Sequence, residues 1–532
     1  MKSLKILYIH PQEPHNTYDF LSCLLRISNY LNSRKKELNG TIQEEYLDLR
    51  FESLPEYIPK KIEQYRRNVT KLLEETQKRF NFNIVAISCY SQFKYCNTVE
   101  ITSIIKRSIN PDCIIVVGGP HPTILPRDFQ PGNLPDYIEK KYGKMNSPFD
   151  FIIRNEGEIP FYRLIKAIFN DTINPRKELT DQALIVKSET IEDLDEVPTI
   201  DFRLYKKYRD EITKFGQINI DFARGCPFSC KICTNSTDLM PCYKKVRIKS
   251  VSKCMEELRV IRDTEWLKFN TLYINDMIFL PRRSYRERFF REFKKFKNHK
   301  WGFNHPIMIN ERVELCSESD LKKYKELNII PQIGFESGSK TMLKRMGKIK
   351  VKNEYGGEKN IESYLSKVEN IIQIANEIDL VVLLNYIVSP PGSDQNTIKE
   401  NEDFFLKRRF DGYSLIEKFN VNLCFSKYSA LFGSRIYDEI EEKYNGIIYF
   451  KEWWKIFHED QRILSALVEP SDTISLLESI NRNRNFINSL FKEQLSRKNN
   501  FYHPAKLLRL NHENKKMIRL LGDIKRRNIC LS

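Results

Sequence analysis

Cys226, Cys230 and Cys233 stand in the stretch Arg-Gly-Cys-Pro-Phe-Ser-Cys-Lys-Ile-Cys, three thiols within eight residues on a loop that follows an apolar strand-like run. Three thiolates can hold three irons of a 4Fe-4S cluster and leave the fourth without a protein ligand, open to a substrate or cofactor. An open iron does chemistry rather than store electrons. Twelve cysteines scattered at random through 532 positions would give this spacing in roughly one chain in 160, so the triplet is a motif. The other nine, Cys23, Cys89, Cys96, Cys113, Cys242, Cys254, Cys316, Cys424 and Cys530, have no ligand-like partners at close spacing and read as buried or inert thiols. Cys242 lies nearest after the triplet.

The elements that must position such a site need more than one core. A chain of 532 residues with 41% hydrophobic and 12% aromatic content predicts two or three domains. A mean hydropathy of -0.50 and the lack of any apolar run approaching 18 residues argue against a membrane-spanning helix. The opening Met-Lys-Ser-Leu-Lys-Ile-Leu-Tyr-Ile-His has no signal-peptide character, which predicts a cytoplasmic location whose reducing conditions suit thiols and an oxygen-sensitive cluster. The net charge of +17 is spread along the chain with glutamates among the lysines, so nucleic acid is not an expected partner.

Residues 1–170 alternate strand and helix signals: Lys5 to His10, a helical Phe20 to Leu31, Asn83 to Tyr90, a helical Asn97 to Ile109, and Cys113 to Val117 ending at Gly118-Gly119-Pro120-His121. Phe151 to Arg154, Asn155-Glu156-Gly157-Glu158 and a helical Phe161 to Phe169 add one more unit. Glycines at the carboxyl end of a strand fit a doubly wound, Rossmann-like parallel sheet whose loops bind a cofactor. Residues 171–205 read as a linker. Six further strands follow in 206–430, at Ile218 to Ala223, Thr271 to Asn275, Phe303 to Ile309, Ile329 to Phe335, Leu380 to Val388 and Ile416 to Phe425, each separated by room for a helix. That series predicts a partial (β/α)6 TIM-like barrel with the triplet at the carboxyl end of its first strand. Residues 431–532, including Glu452-Trp453-Trp454, read as a mostly helical accessory region.

With the segments Tyr-Ile-Asn-Asp-Met-Ile-Phe (273–279), Ile-Gly-Phe-Glu-Ser-Gly-Ser (333–339) and Ser-Pro-Pro-Gly-Ser-Asp (389–394), the chain resembles the radical S-adenosylmethionine superfamily. Val-Val-Gly-Gly-Pro-His-Pro-Thr (116–123) and Asn-Glu-Gly-Glu (155–158) resemble the N-terminal cobalamin-binding domain of one large branch of it. The resemblance covers about 430 residues, with the two halves in the expected order. It implies that S-adenosylmethionine chelates the open iron and is cleaved by one electron from the cluster to a 5'-deoxyadenosyl radical. It places Cys226, Cys230 and Cys233 as iron ligands, Asp276 at the methionine amino group, Glu336 and Ser337 at the ribose, and Pro391 and Gly392 near the adenine. Ile232 stands where the family usually has an aromatic residue beside the adenine. Ser88, Gly118, Gly119, His121, Glu156 and Gly157 fall at cobalamin-domain positions. The Asp-x-His-x-x-Gly signature, whose histidine takes the lower face of cobalt, is missing: the first loop reads His-Pro-Gln-Glu-Pro-His-Asn (10–16). That absence is compatible with cobalamin bound without a protein histidine on cobalt, and with a domain that binds none.

The implied activity is methylation of an unactivated carbon or phosphorus centre of a small-molecule or peptide substrate. One S-adenosylmethionine would methylate the reduced cobalt and a second would give the radical, with electrons from an external donor such as flavodoxin or ferredoxin. A radical cyclisation or rearrangement without methyl transfer is the nearest alternative. A transfer-RNA methylthiotransferase and a non-catalytic iron-sulfur or nucleic-acid-binding protein stand further off. No catalytic acid or base can be chosen among His305, His458 and the many tyrosines.

Overall fold

The computed structural model describes residues 2–13, 23–143, 146–173, 182–298, 303–349, 357–407, 409–410, 413–414, 421–483, 515–516 and 519–520. The chain forms two compact units. The first comprises Met1–Ile220, Arg247–Asn270 and Glu452–Arg462; the second comprises Asp221–Val246, Thr271–Lys451 and Ile463–Ser532.

The first unit is built on six parallel strands: β1 (Lys2–His10), β2 (Gly40–Asp48), β3 (Ile84–Ser88), β4 (Ile114–Gly118), β5 (Phe151–Ile153) and β6 (Leu184–Val186). Their order is β2-β1-β3-β4-β5-β6. β3 is buried along its whole length and Ile6 to Ile9 of β1 are buried, the continuous apolar run of a strand covered on both faces. α1 (Cys23–Ser33) leads to β2, and α2 (Ile62–Phe80) carries the chain back past β1 to β3. The strand order therefore reverses between β1 and β3, and the crevice outside the carboxyl ends of two such strands is where doubly wound sheets bind ligands. α3 (Tyr95–Ile104) covers the predicted 97–109 helix, whose last five residues, Ile105–Ile109, widen into a π turn. α4 (Glu158–Phe169) begins at Gly157, where an added Cβ would come within 2.9 Å of the Ile27 side chain of α1. That glycine lets α1 and α4 pack closely.

Two features depart from the sequence expectation. β2 carries Gln43, Glu44 and Glu45 and is buried only at Tyr46, Leu47 and Asp48, so an edge strand of this polarity gave no apolar run to detect. The expected linker 171–205 contains β6, which pairs Leu184 with Phe151 and Val186 with Ile153. A three-residue strand is too short to register as a period. The first unit also extends past residue 205, to Ile220. Helix α5 (Val251–Asp263) belongs to it and brings Glu257, fully buried, against Arg26 (2.6 and 2.8 Å) and Lys249 (2.8 Å).

The second sheet runs in chain order, with β7 (Gln217–Ile220), β8 (Thr271–Ile274), β9 (Ile307–Arg312), β10 (Ile329–Glu336), β11 (Val382–Val388) and β12 (Val421–Lys427) side by side. The pairs from β8 to β12 are parallel. This is the progressive β/α series that a six-strand partial barrel requires. The third strand starts four residues later than expected. The last starts at Val421, and residues 416–420 of its expected span lie outside the described residues. Helices α6 (Arg283–Lys297), α7 (Glu318–Leu327) and α8 (Lys340–Arg345) occupy the connections, α6 burying Phe289, Phe290, Phe293 and Phe296. Beyond residue 431 the described chain is not only helical: after α9 (Arg435–Glu442), Ile447–Ile448 pairs antiparallel with Val468–Glu469. Two-residue strands leave no sequence period. Most of 484–532, including Cys530, lies outside the described residues. No helix among the described residues is long and apolar enough to cross a membrane.

Candidate functional site

In the second unit the cysteine loop is held by backbone bonds on both sides. Gly225, with φ +94°, turns the chain into it, and a Cβ there would run into the Lys245 carbonyl oxygen. Cys226 N donates to Tyr243 O (2.8 Å), Lys231 N to Met346 O (2.8 Å), and Ile436 N to Lys231 O (3.0 Å). Arg435 donates to Ser229 O and Lys231 pairs with Glu439, fixing the loop to α9. Ile232 is partly buried against the cluster of Met342, Met346, Tyr428, Ile436, Ile440 and Tyr444. Replacing Gly225 with alanine is expected to cost about 1–3 kcal/mol of backbone strain and to lower the iron retained after anaerobic reconstitution. A wild-type iron content would show that the loop does not depend on this turn.

Cys230 is buried, while Cys226 and Cys233 are partly exposed. Arg312, the last residue of β9, donates Nη1–H to Cys230 Sγ at 3.0 Å and lies over the Phe228 ring, 3.7 Å from its centre. It also bonds Glu314 (2.5 and 3.1 Å) and Lys348 O (3.1 Å). Burial pushes the Cys226 thiol up, against the opposing pull of Arg312 and Lys348. Cationic groups beside cysteines favour the thiolate that binds metal. Among the described residues no three metal-binding side chains converge as they would on a single ion. The irons of a cubane stand apart, so its thiolates need no such convergence. The donor set, three cysteines on a pinned loop with an N–H aimed at one sulfur, fits a cluster held by three ligands.

The residues expected at S-adenosylmethionine have definite partners. Asp276, just past β8 and buried, accepts from Phe222 N (2.7 Å) and Ala223 N (2.8 Å) through Oδ1. One carboxylate oxygen therefore braces the backbone that leads into the cysteine loop. Glu336 ends β10 with φ +74° and meets Lys348 Nζ at 3.3 Å. Arg345 turns instead to Asp394 (2.9 Å) and the Gly392 carbonyl. Ser337 Oγ donates to Asn401 Oδ1 (2.9 Å), which also accepts from Gly338 N and Ser339 N. Gly392, with φ +81°, donates its N–H to Pro470 O (2.7 Å), so Pro391-Gly392 is a turn packed under Tyr444. Arg312 and Lys348 link the cysteines to Glu336; Asp276 and the 391–392 turn make no such link among the contacts described here. Sequence reading missed the role of Arg312, a lone basic residue at a strand end.

In the first unit, Ser88 and Gly118 are direct partners across β3 and β4, and Ser88 Oγ lies 3.6 Å from Cys23 Sγ. Gly119 has φ +115°, and a Cβ there would stand 2.7 Å from Cys89 O. Its freedom lets two chain segments approach. His121 is buried with Nε2 2.9 Å from Asp128 Oδ2 and stacks on Tyr95. Glu156 is buried in a two-point pair with Arg247 (2.5 and 3.0 Å) and accepts from Ile191 N. His121 and Glu156 thus hold loops in place.

The polar groups at the strand-order reversal were not singled out by the sequence. His10 ends β1, Asp48 ends β2, and Lys94 lies just past β3, all buried. Lys94 Nζ meets His10 Nε2, and Arg50 pairs with Asp48 at 2.7 and 2.9 Å. Burial, Arg50 and Lys94 hold His10 well below the usual histidine range. A neutral His10 accepting at Nε2 carries its proton on Nδ1. That Nδ1 and the buried Gln12 Oε1 make no hydrogen bond. An amide-rich cofactor such as cobalamin has the complementary groups. Residues 14–16 of the first loop lie outside the described residues.

Burial, with Arg50 adding to it, lowers Lys94 to about 8 from an ordinary 10.5. Between those values the unfolded chain holds the proton and the folded chain does not, so stability rises with pH across that window and is flat in this group below it. The penalty relieved is on the order of 3 kcal/mol. Chemical denaturation at pH 7.5 and pH 10 should show this rise in the wild type relative to Lys94→Met. Parallel pH profiles for the two proteins would refute it.

A doubly wound parallel sheet followed by a progressive β/α series, with a three-cysteine loop after the first strand of that series, is a fold the chain shares with a solved radical S-adenosylmethionine methyltransferase. No family model matches it. It is 27% identical over 198 residues to an uncharacterized methyltransferase of Pyrococcus horikoshii, covering 35% of this chain and 38% of that protein. It is 23% identical over 317 residues to the anaerobic magnesium-protoporphyrin IX monomethyl ester cyclase of Rubrivivax gelatinosus, covering 57% and 50%. The chain therefore spans half or less of these relatives. Its fold is shared with the radical S-adenosylmethionine methyltransferase TsrM from Kitasatospora setae, at a TM-score of 0.58, 14% identity and coverage of 83% of this chain and 77% of that one. TsrM has been solved with tryptophan and aza-SAM, and with cobalamin and a 4Fe-4S cluster.

Proposed function

We propose that the chain is a cobalamin-dependent radical S-adenosylmethionine methyltransferase acting on an unactivated carbon or phosphorus centre of a small-molecule or peptide substrate. The observation that carries this is the pinned loop of Cys226, Cys230 and Cys233 with Arg312 on the Cys230 sulfur. In this reading the three cysteines hold the cluster. Glu336, Ser337, Pro391, Gly392, Asp276 and Ile232 shape the S-adenosylmethionine pocket, Asp276 partly by bracing the Phe222–Ala223 backbone. Ser88, Gly118 and Gly119 line the cobalamin crevice with His10 and Gln12, while His121, Glu156 and Gly157 fix the loops and helix around it. When bound, the cluster supplies the electron that cleaves S-adenosylmethionine and cobalamin supplies the methyl group. The chain's own groups orient both and keep water away. A flavodoxin or ferredoxin in the cytoplasm is the electron donor this reading requires.

The test is anaerobic purification with cobalamin supplied, followed by absorbance and metal analysis. Cluster and cobalamin bound together, and S-adenosylmethionine cleaved to 5'-deoxyadenosine on reduction, are the expected result. A cluster with no cobalamin under saturating supply would overturn the methyltransferase reading. With a substrate in hand, a product not heavier by one methyl group would favour the cyclisation that the Rubrivivax relative's name describes.

A further inference from the structure

The Arg312 side chain donates a hydrogen bond to the Cys230 sulfur of the cysteine triplet. Its guanidinium is buried and held from four directions: Cys230 Sγ, Glu314, the Lys348 carbonyl and the face of Phe228. A guanidinium stays charged throughout the accessible pH range, so this donor is permanent. The contact falls on Cys230, the buried member, while Cys226 and Cys233 are partly open to solvent.

Adding an electron to an iron-sulfur cluster increases negative charge on its sulfurs. An N–H pointing at a ligand sulfur therefore stabilises the reduced state more than the oxidised one, and hydrogen bonds to sulfur are among the groups that set cluster potentials. Burial strengthens the effect, because little solvent screens it. Glu314 neutralises part of the guanidinium charge, yet it is about a third exposed and bonds Nε and Nη2, leaving Nη1 directed at sulfur.

We propose that Arg312 is a positioning residue that sets the reduction potential of the cluster held by Cys226, Cys230 and Cys233, raising it through its Nη1–H bond to Cys230. The inference rests on the cluster assignment above. The step concerned takes one electron from an external low-potential flavin or iron-sulfur donor into the cluster, with no proton moved and no bond made or broken. A more accessible potential would let that donor populate the reduced form.

The experiment is a dithionite titration of the reconstituted protein, followed by electron paramagnetic resonance, for the wild type, Arg312→Lys and Arg312→Met. Arg312→Met is expected to lower the reduced-to-oxidised ratio at a fixed potential about tenfold, which corresponds to about 59 mV for one electron. Arg312→Lys, which keeps the charge without the fork, should fall between. Equal midpoints in all three would overturn the inference and leave the cluster assignment intact. Absence of a cluster from the wild type would overturn the cluster assignment instead. A second measurement needs no variant: electron-nuclear double resonance of the reduced wild-type cluster in H2O and D2O should show a strongly coupled exchangeable proton near a cysteine sulfur. Its absence would refute the proposal even if the variants fail to fold or to retain a cluster.

Discussion

Alanine in place of any one of Cys226, Cys230 and Cys233 is expected to take the iron content of the anaerobically reconstituted protein from about four per chain to near zero. Formation of 5'-deoxyadenosine from S-adenosylmethionine should fall by roughly a thousandfold or more, to the uncatalysed background. Two thiolates cannot replace three on a cluster that already has one iron without a protein ligand. The fold should survive, because the loop is held by backbone bonds from Cys226, Lys231 and Ile436 rather than by the thiols. Circular dichroism would confirm that survival, and iron and sulfide analysis reads the loss. Cys254→Ala, on α5 of the first unit and fully buried, is the control and should retain its iron. Full iron in a triplet variant, or loss of iron in the control, would defeat the ligand assignment.

The largest effect on stability is expected at Glu257. Its carboxylate is fully buried between the Arg26 guanidinium and the Lys249 ammonium. Glu257→Ala leaves two buried cations facing each other without their shared anion, and breaking a buried pair in this way costs about 3–5 kcal/mol. For a unit of this size that lowers Tm by roughly 10 °C, which differential scanning calorimetry would read. The result also separates two kinds of buried charge. Replacing Arg26, Lys249 and Glu257 together with apolar residues of similar volume should recover most of the loss, since such replacement is often neutral. A Glu257→Ala protein with unchanged Tm would show that the triad carries no net stability.

How much of this was legible in the sequence depended on how each group announces itself. The strands of the second unit could be read from largely apolar runs, such as Ile329–Glu336 and Val382–Val388, in which buried residues alternate with half-buried ones over much of the length. β2 could not, because two glutamates and a glutamine interrupt it at the sheet edge, and β6 is three residues long. The cysteine triplet is visible because rare residues at fixed spacing are improbable by chance. Arg312 and Lys348 are two among 87 basic residues, and only the fold brings them to the cysteines and Glu336. The acidic residue at 276 was found by resemblance, but its bonds to the Phe222 and Ala223 amides depend on where the first strand of the series ends, which no motif encodes. His10 and Lys94 are 84 positions apart and meet because the chain crosses back over β1.

Ile232 gains a different meaning from its surroundings. Its partly buried side chain packs against the core cluster that includes Met342, Met346 and Ile436, so it anchors the cysteine loop to the core of its own unit. Substituting an aromatic ring at this position would add volume against that cluster, and overpacking of this kind costs about 1–3 kcal/mol. The size of residue 232 is therefore tied to the core that includes Met342 and Met346.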